Sequence, residues 1–172
     1  MTKLFLAVAL IVAGALPVAA QTQNRVEVQR DWAVFEATLD NNKICWIASR
    51  PTKSVALRGG KQVQVNRGDI FLMVAVRPAD SVKNEISFIA GYPFKKGSKV
   101  EAKIGAATYA MSTSGENAWL SGPAEDAKMV TAFKGGVDAV VEGLSARGTT
   151  TVDTFSLLGF TAALDSAQKR CK

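Results

Sequence analysis

A mainly β fold, an antiparallel sandwich or barrel carrying one short internal helix and a C-terminal helix, follows from three features of this 172-residue sequence. Short apolar stretches rich in β-branched and aromatic residues recur between clusters of Gly, Asn, Asp and Pro, which is the signature of strands joined by turns. Apolar residues fall at helical spacing only around residues 124–134 and again from Phe160 onward. Once an export-like leader is set aside, about 150 residues remain, enough for one domain with a real core and too few for two.

The leader is residues 1–20. Lys3 supplies its charged start, residues 4–16 are apolar, and Val18-Ala19-Ala20 offers small residues before a cut at Gln21. A run of about 13 apolar residues is too short to cross a hydrocarbon core of ~30 Å, so a cleaved signal peptide is expected rather than an anchor. Residues 21–30 are polar and are expected to form a flexible leader, with residues 31–172 as a single domain. Trp32, Val34 and Phe35 begin a strand, and residues 44–49 make its hairpin partner across Asp40-Asn41-Asn42-Lys43. Cys45 and Trp46 lie on that second strand, which Pro51 ends.

Arg58-Gly59-Gly60-Lys61 turns the chain into a strand through Val63 and Val65, and Arg67-Gly68-Asp69 turns it again. Residues 70–76 are almost wholly apolar and read as a central buried strand, as do residues 84–90 through Ile86, Phe88 and Ile89. A loop through residues 91–97 leads to strands at 100–104 and 108–112 about a turn at Gly105. Around residues 124–134, Glu125 and Asp126 suit a helix start, Met129, Val130 and Phe133 share a face, and Lys134-Gly135-Gly136 suits a left-handed cap. Residues 137–146 and 149–158 form a last hairpin about Arg147-Gly148. On the C-terminal helix, Phe160, Ala163, Leu164, Ala167 and Cys171 fall on one face.

The chain has no histidine, which excludes Ser-His-Asp and Cys-His catalysis, zincin motifs and histidine-held zinc. No metal site and no cofactor is expected. Cys45 and Cys171 are the only cysteines, and in an oxidising compartment they pair most simply as one structural disulfide. Such a bond would pin the C-terminal helix to the early hairpin near Trp46 and Phe160. Glu85 and Asp153 are the candidate cleft acids, and Lys53-Ser54 and Ser98-Lys99 are adjacent pairs that a strand would point to opposite faces. Arg67-Gly68-Asp69 spells an adhesion tripeptide, but it also fits an ordinary turn. The net charge of +6 favours anionic glycans, lipids or acidic proteins as partners over nucleic acid for an exported protein. Lys95, Lys96, Lys99 and Lys103, with Tyr92 and Phe94 nearby, form the densest cationic stretch.

One ordered combination is specific. Trp32, Cys45, Arg77-Pro78, Val82-Lys83-Asn84-Glu85, Gly91-Tyr92-Pro93-Phe94-Lys95-Lys96-Gly97-Ser98, Ser145-Ala146-Arg147-Gly148-Thr149, Asp153-Thr154-Phe155-Ser156, Gly159-Phe160-Thr161-Ala162-Ala163-Leu164 and Cys171 resemble the invasion-associated locus B family of exported proteins from Gram-negative bacteria. The resemblance runs over essentially the whole mature chain. It implies an immunoglobulin-like β-sandwich in the periplasm, with outer-membrane association or secretion as alternatives, and it carries no catalytic residues. The expected function is therefore a non-enzymatic envelope or host-interaction protein, with an envelope component or host-cell surface molecule as partner and peripheral membrane contact allowed. Its expected contacts are Arg77, Lys83, Lys95, Lys96 and Arg147. The alternatives are a carboxylate-dependent hydrolase of envelope glycans, which needs two facing carboxyl groups, and a small-ligand carrier, which needs an apolar pocket between the sheets.

Overall fold

In the computed structural model, which describes residues 24–172, a single antiparallel sheet of twelve strands runs in the order β1-β2-β3-β6-β7-β10-β9-β8-β11-β12-β4-β5. The strands are β1 (Asn24–Gln29), β2 (Trp32–Leu39), β3 (Asn42–Ser49), β4 (Lys53–Arg58), β5 (Lys61–Gln62), β6 (Phe71–Arg77), β7 (Val82–Ile89), β8 (Lys99–Ile104), β9 (Ala107–Ser114), β10 (Asn117–Trp119), β11 (Asp138–Leu144) and β12 (Thr150–Ser156). Two helices, α1 (Pro123–Gly135) and α2 (Phe160–Arg170), complete the fold. The expected signal peptide lies outside the described residues.

Five steps separate β7 from β12 in that order, which in a flat sheet would place them about 24 Å apart at ~4.8 Å per strand. Yet the rings of Phe88 on β7 and Phe155 on β12 meet edge to face with centroids 6.0 Å apart. The sheet therefore folds over on itself, and its two halves face each other as the layers of a sandwich. β1 and β5 stand at the two ends of the strand order, so the sheet is not closed into a barrel. The expected antiparallel sandwich with two helices is the observed architecture.

The first hairpin turns where expected. Asp40 and Asn41 adopt φ of 49° and 64°, the left-handed pair that a two-residue turn between twisted strands requires and that Asn and Asp tolerate best. Residues 24–29, expected to belong to a flexible leader, instead form β1 and pair with β2 at the sheet edge. A polar sequence suits an edge strand with one side to water as well as it suits a leader. The central strand β6 is not buried on both faces either: Leu72, Val74 and Val76 enter the core while Phe71, Met73 and Ala75 stay partly exposed. Strands β4 and β10 carry too few apolar residues to stand out in the sequence, and the strand expected through Val63 and Val65 is reduced to β5 just before them.

Both helices pack on the core side of the sheet. Phe133 of α1 and Phe160 of α2 meet each other and Trp32 of β2 at centroid distances of 5.0, 5.1 and 6.4 Å, contacts worth about 0.5–1.5 kcal/mol each beyond the area they bury. Trp32 Nε1–H donates to the Ser156 carbonyl at 3.0 Å, so the buried indole is satisfied. All five residues expected on one face of the tail, Phe160, Ala163, Leu164, Ala167 and Cys171, are buried. Cys45 and Cys171 form the disulfide. Neither expected neighbour lies beside it: Trp46 points to the opposite face of β3, as the period of a strand requires, and Phe160 stands at the other end of α2. The C-terminus of α1 also differs from expectation. Gly136 is extended (φ −89°) rather than left-handed, and glycine is needed there because a Cβ would lie 2.7 Å from Ile104 Cγ2 and 2.8 Å from Leu157 Cδ1.

Asp126, in the first turn of α1, is buried and accepts a hydrogen bond from the Ile86 backbone N–H at 3.0 Å, tying the helix to β7. Burial pushes its carboxyl up from the ordinary value, opposed by the Ile86 N–H and reinforced by the charge of Glu85. A carboxyl whose folded pKa is raised favours folding in its protonated form, so that contribution is present below the unfolded pKa and lost as pH rises through the folded one. Asp126→Asn keeps an acceptor for Ile86 and removes the charge. The variant is expected to be more stable than the native protein at about pH 7, with the gain vanishing below about pH 4 where an unperturbed Asp is protonated. Urea midpoints at the two pH values check this, and a loss of stability at neutral pH would contradict it.

Candidate functional site at the basic recess

Asp153 projects inward from β12 and is fully buried. It is held by Arg67, whose Nη1 and Nη2 donate to its two oxygens at 2.8 and 2.7 Å, and by Ser54 Oγ of the neighbouring strand β4 at 2.7 Å. The Arg67 side chain is itself only 8% exposed. Its Nε and Nη2 also donate to the Ala90 carbonyl at 3.0 and 2.8 Å, and its guanidinium lies 5.0 Å from the centre of the Tyr92 ring. This two-pronged, stacked geometry is one that arginine supplies and lysine does not.

The backbone brings Arg67 there by close approach. Gly68 N–H donates to the Gly91 carbonyl at 2.9 Å. Gly91 has φ +70°, and a Cβ on it would fall 2.6 Å from the Gly68 oxygen, so only glycine fits. The Tyr92 hydroxyl shares a hydrogen bond of 2.6 Å with Thr151 Oγ1. Burial pushes the Tyr92 phenol up, so it stays neutral beside the ion pair.

Above this floor opens a recess of about 430 Å³, walled by Arg58, residues 64–67, residues 91–93, the turn that carries Ser145, Ala146 and Arg147, and one acidic side chain, the exposed Glu116. The volume falls in the range of small-molecule and headgroup pockets, roughly 300–1,000 Å³. Arg58 lies across the wall with Nε and Nη2 donating to Thr149 Oγ1 at 3.1 and 2.7 Å. The loops on either side of the recess are tied together: Phe94 bridges Ser145, Lys95 N–H donates to Leu144 O, and Ala146 N–H donates to Pro93 O, the last two both at 2.9 Å. Because the bridge is antiparallel, Arg147 falls across from Tyr92 while Lys95 and Lys96 run on along Leu144 and Gly143, so the joined loops carry all three exposed cations on one pair of segments. Among the described residues, none of Arg58, Lys95, Lys96 and Arg147 has a carboxylate within salt-bridge distance.

The other two expected contacts lie elsewhere. Arg77 ends β6 and Lys83 is the second residue of β7. From Lys83 to Ile89 the strand runs about 20 Å at ~3.3 Å per residue, which puts both at the end of the sheet away from the recess. Arg77 is also internally neutralised. Its Nη1 and Nη2 donate to Glu85 at 3.0 and 3.2 Å and its Nε to Asp80 at 3.1 Å, bonds that raise its pKa further against the cost of partial burial. Lys83 is exposed. Of the cationic stretch, Lys103 is engaged by Glu101 and Glu142 at 3.8 and 4.0 Å.

The remaining candidates resolve in the same way. Arg67 is turned inward, and Asp69 pairs with Arg50 at 3.0 Å, so the tripeptide is a turn with a buried first side chain. Both cleft acids are bound by arginine, Asp153 by Arg67 and Glu85 by Arg77. Ser54 serves Asp153, and Ser98 Oγ donates to the Lys95 carbonyl. Between the layers, Phe88, Phe94 and Phe155 fill the space a carried apolar ligand would need. Arg58 and Arg67 are the site residues that sequence reasoning missed. Each sits beside a glycine turn, but nothing local shows that β4 and the stretch after it fold back across β12.

Comparison with known proteins agrees with this architecture. A crystal structure of invasion associated protein b from Bartonella henselae superposes with a TM-score of 0.57 at 15% identity, covering 84% of this chain and 96% of that one. At that identity the likeness is one of fold. No curated protein sequence matches the chain. The family described as invasion associated locus B protein, a description that names no reaction, matches residues 32–168. That span takes in every strand but β1 and nearly all of α2, and the chain belongs to the invasion-associated locus B family.

Proposed function

We propose that this protein is exported and acts, without catalysing a reaction, as a binding protein of the cell envelope or of a host-cell surface, holding an anionic partner on the loops around the basic recess. The observation that carries this reading is that Arg58 and Arg147 line one recess and Lys95 and Lys96 are exposed on the loop bridged to the Arg147 turn, with none of the four paired to a carboxylate among the described residues. Maintaining like charges close together costs free energy that an anionic partner offsets. Membership of a family associated with invasion supports a role at a host interface. The Cys45–Cys171 bond supports export, since structural disulfides persist in oxidising compartments. Arg77 and Lys83 are not part of this surface.

The test is association of the processed protein with envelope extract and host-cell membranes at low and high salt. Binding at low salt should fall steeply as salt is raised, because the Debye length shrinks from ~10 Å at 0.1 M to ~3 Å at 1 M. Lys95→Glu/Lys96→Glu is expected to weaken it at least tenfold while leaving the fold intact, since both side chains are exposed. Reversal of Lys83 should have little effect. Association that survives the double reversal would remove the recess loops from the function.

A further inference from the structure

On the strands β2, β3, β6, β7 and β10, Val34, Ile47, Val74, Phe88 and Ala118 are fully buried in the core. The alternate residues face the other way, where neither helix nor the second half of the sheet lies. That bare face is mainly aromatic and apolar: Phe35, Trp46 and Ala75 are in register across three strands, Ile44, Phe71, Met73 and Trp119 surround them, and Ser87 and Glu85 of β7, opposite Met73 and Ala75, are polar members of it, all partly exposed. Phe35 stacks on Trp46 with centroids 5.3 Å apart and planes within 6°. An outer sheet face ordinarily alternates to polar residues, so this one is built to be covered.

Its size and its ends indicate by what. Five strands at ~4.8 Å spacing and about seven residues at ~3.3 Å give a face of about 24 by 23 Å, or about 550 Å². Two such faces stacked bury about 1,100 Å², just above the ~1,000 Å² that a specific protein interface needs. One end of the face carries the Arg50–Asp69 pair, with Arg50 also 4.4 Å over the Phe71 ring. The other end carries Arg77 with Glu85 and Asp80. A twofold axis running across the strands sets the first end of one copy over the second end of the other, so that each cation finds an anion of the partner. The same pairs leave those ends with little surplus charge for anionic headgroups. We infer that this face joins two copies of the chain, sheet against sheet at the ~10 Å spacing of packed β-layers. The recess residues lie outside it, so the dimer would display two basic recesses.

Sedimentation of the processed, disulfide-bonded protein from low to high micromolar concentration tests this. The weight-average mass should rise twofold, and Trp46→Glu should hold it at the monomer value with an unchanged circular dichroism spectrum. Should that variant fail to fold, Met73→Lys serves the same purpose at another partly exposed position. A mass that stays monomeric throughout would overturn the inference, as would a dimer that survives both substitutions. Flotation with phosphatidylcholine–phosphatidylglycerol vesicles is run in parallel. A monomer that floats, and ceases to float on Trp46→Glu, would assign the face to a lipid surface instead.

Discussion

Arg67→Met is expected to lower the free energy of unfolding by about 3–5 kcal/mol, the range seen when one member of a buried ion pair is removed. Asp153 is fully buried, so the substitution strands a carboxylate with only Ser54 as a donor. It also strips the Ala90 carbonyl of two hydrogen bonds. Against a net stability of about 5–15 kcal/mol for a domain of this class, the loss is a large fraction of the whole. The double variant Arg67→Met/Asp153→Asn removes the stranded charge and keeps an acceptor for Ser54, and it is expected to be more stable than Arg67→Met alone. Urea midpoints of the three proteins decide the matter. A cost below about 1 kcal/mol would mean that the pair behaves as a surface salt bridge. Because Arg67 also supports Tyr92, Arg67→Met should weaken binding at the recess even where enough protein stays folded to measure it.

The parts of the fold that could be read from the sequence are those where local chemistry and tertiary structure agree. Asp40-Asn41 sits at a tight turn because those side chains tolerate left-handed backbone, and the helical spacing from Phe160 survives because that face is the one that packs. The edge strand β1 was not legible, since a polar strand at an edge and a polar leader have the same composition. The apolar run of β6 misled for a related reason. Its outward residues Phe71, Met73 and Ala75 are as apolar as its inward ones, which in the sequence resembles a strand buried on both sides. That mismatch between pattern and burial marks the bare face. Around the recess, Lys95, Lys96 and Arg147 were legible as exposed cations on loops, but the joining of their two loops depends on the Phe94–Ser145 bridge between segments about 50 residues apart. Arg77 looked equivalent in the sequence, and only the position of Glu85 opposite the next strand's Ala75 reveals that its charge is already taken.

Removing the disulfide by Cys45→Ala/Cys171→Ala is expected to cost about 2–5 kcal/mol, measured as a lowered denaturation midpoint. The bond joins residues 126 apart in sequence, and the chain-entropy treatment of a loop of that length gives ~5 kcal/mol, an upper figure where the open chain retains structure. A second, local effect should accompany the global one. At 11 residues α2 is too short to hold itself as an isolated helix, so it depends on Phe160, Ala163, Leu164 and Ala167 against the core and on Cys171 at its far end. Phe160 anchors its first turn against Trp32 and Phe133. The disulfide anchors the last, and Cys171 follows Lys169 and Arg170, whose charges suit the helix C-terminus. Hydrogen exchange in the double variant should therefore speed up first in the last turn of α2 and least around Phe160. Uniform acceleration throughout the chain would assign the whole effect to the unfolded state. Unchanged exchange together with an unchanged midpoint would show that packing alone holds the helix, and the bond would then have no stabilising part in the fold.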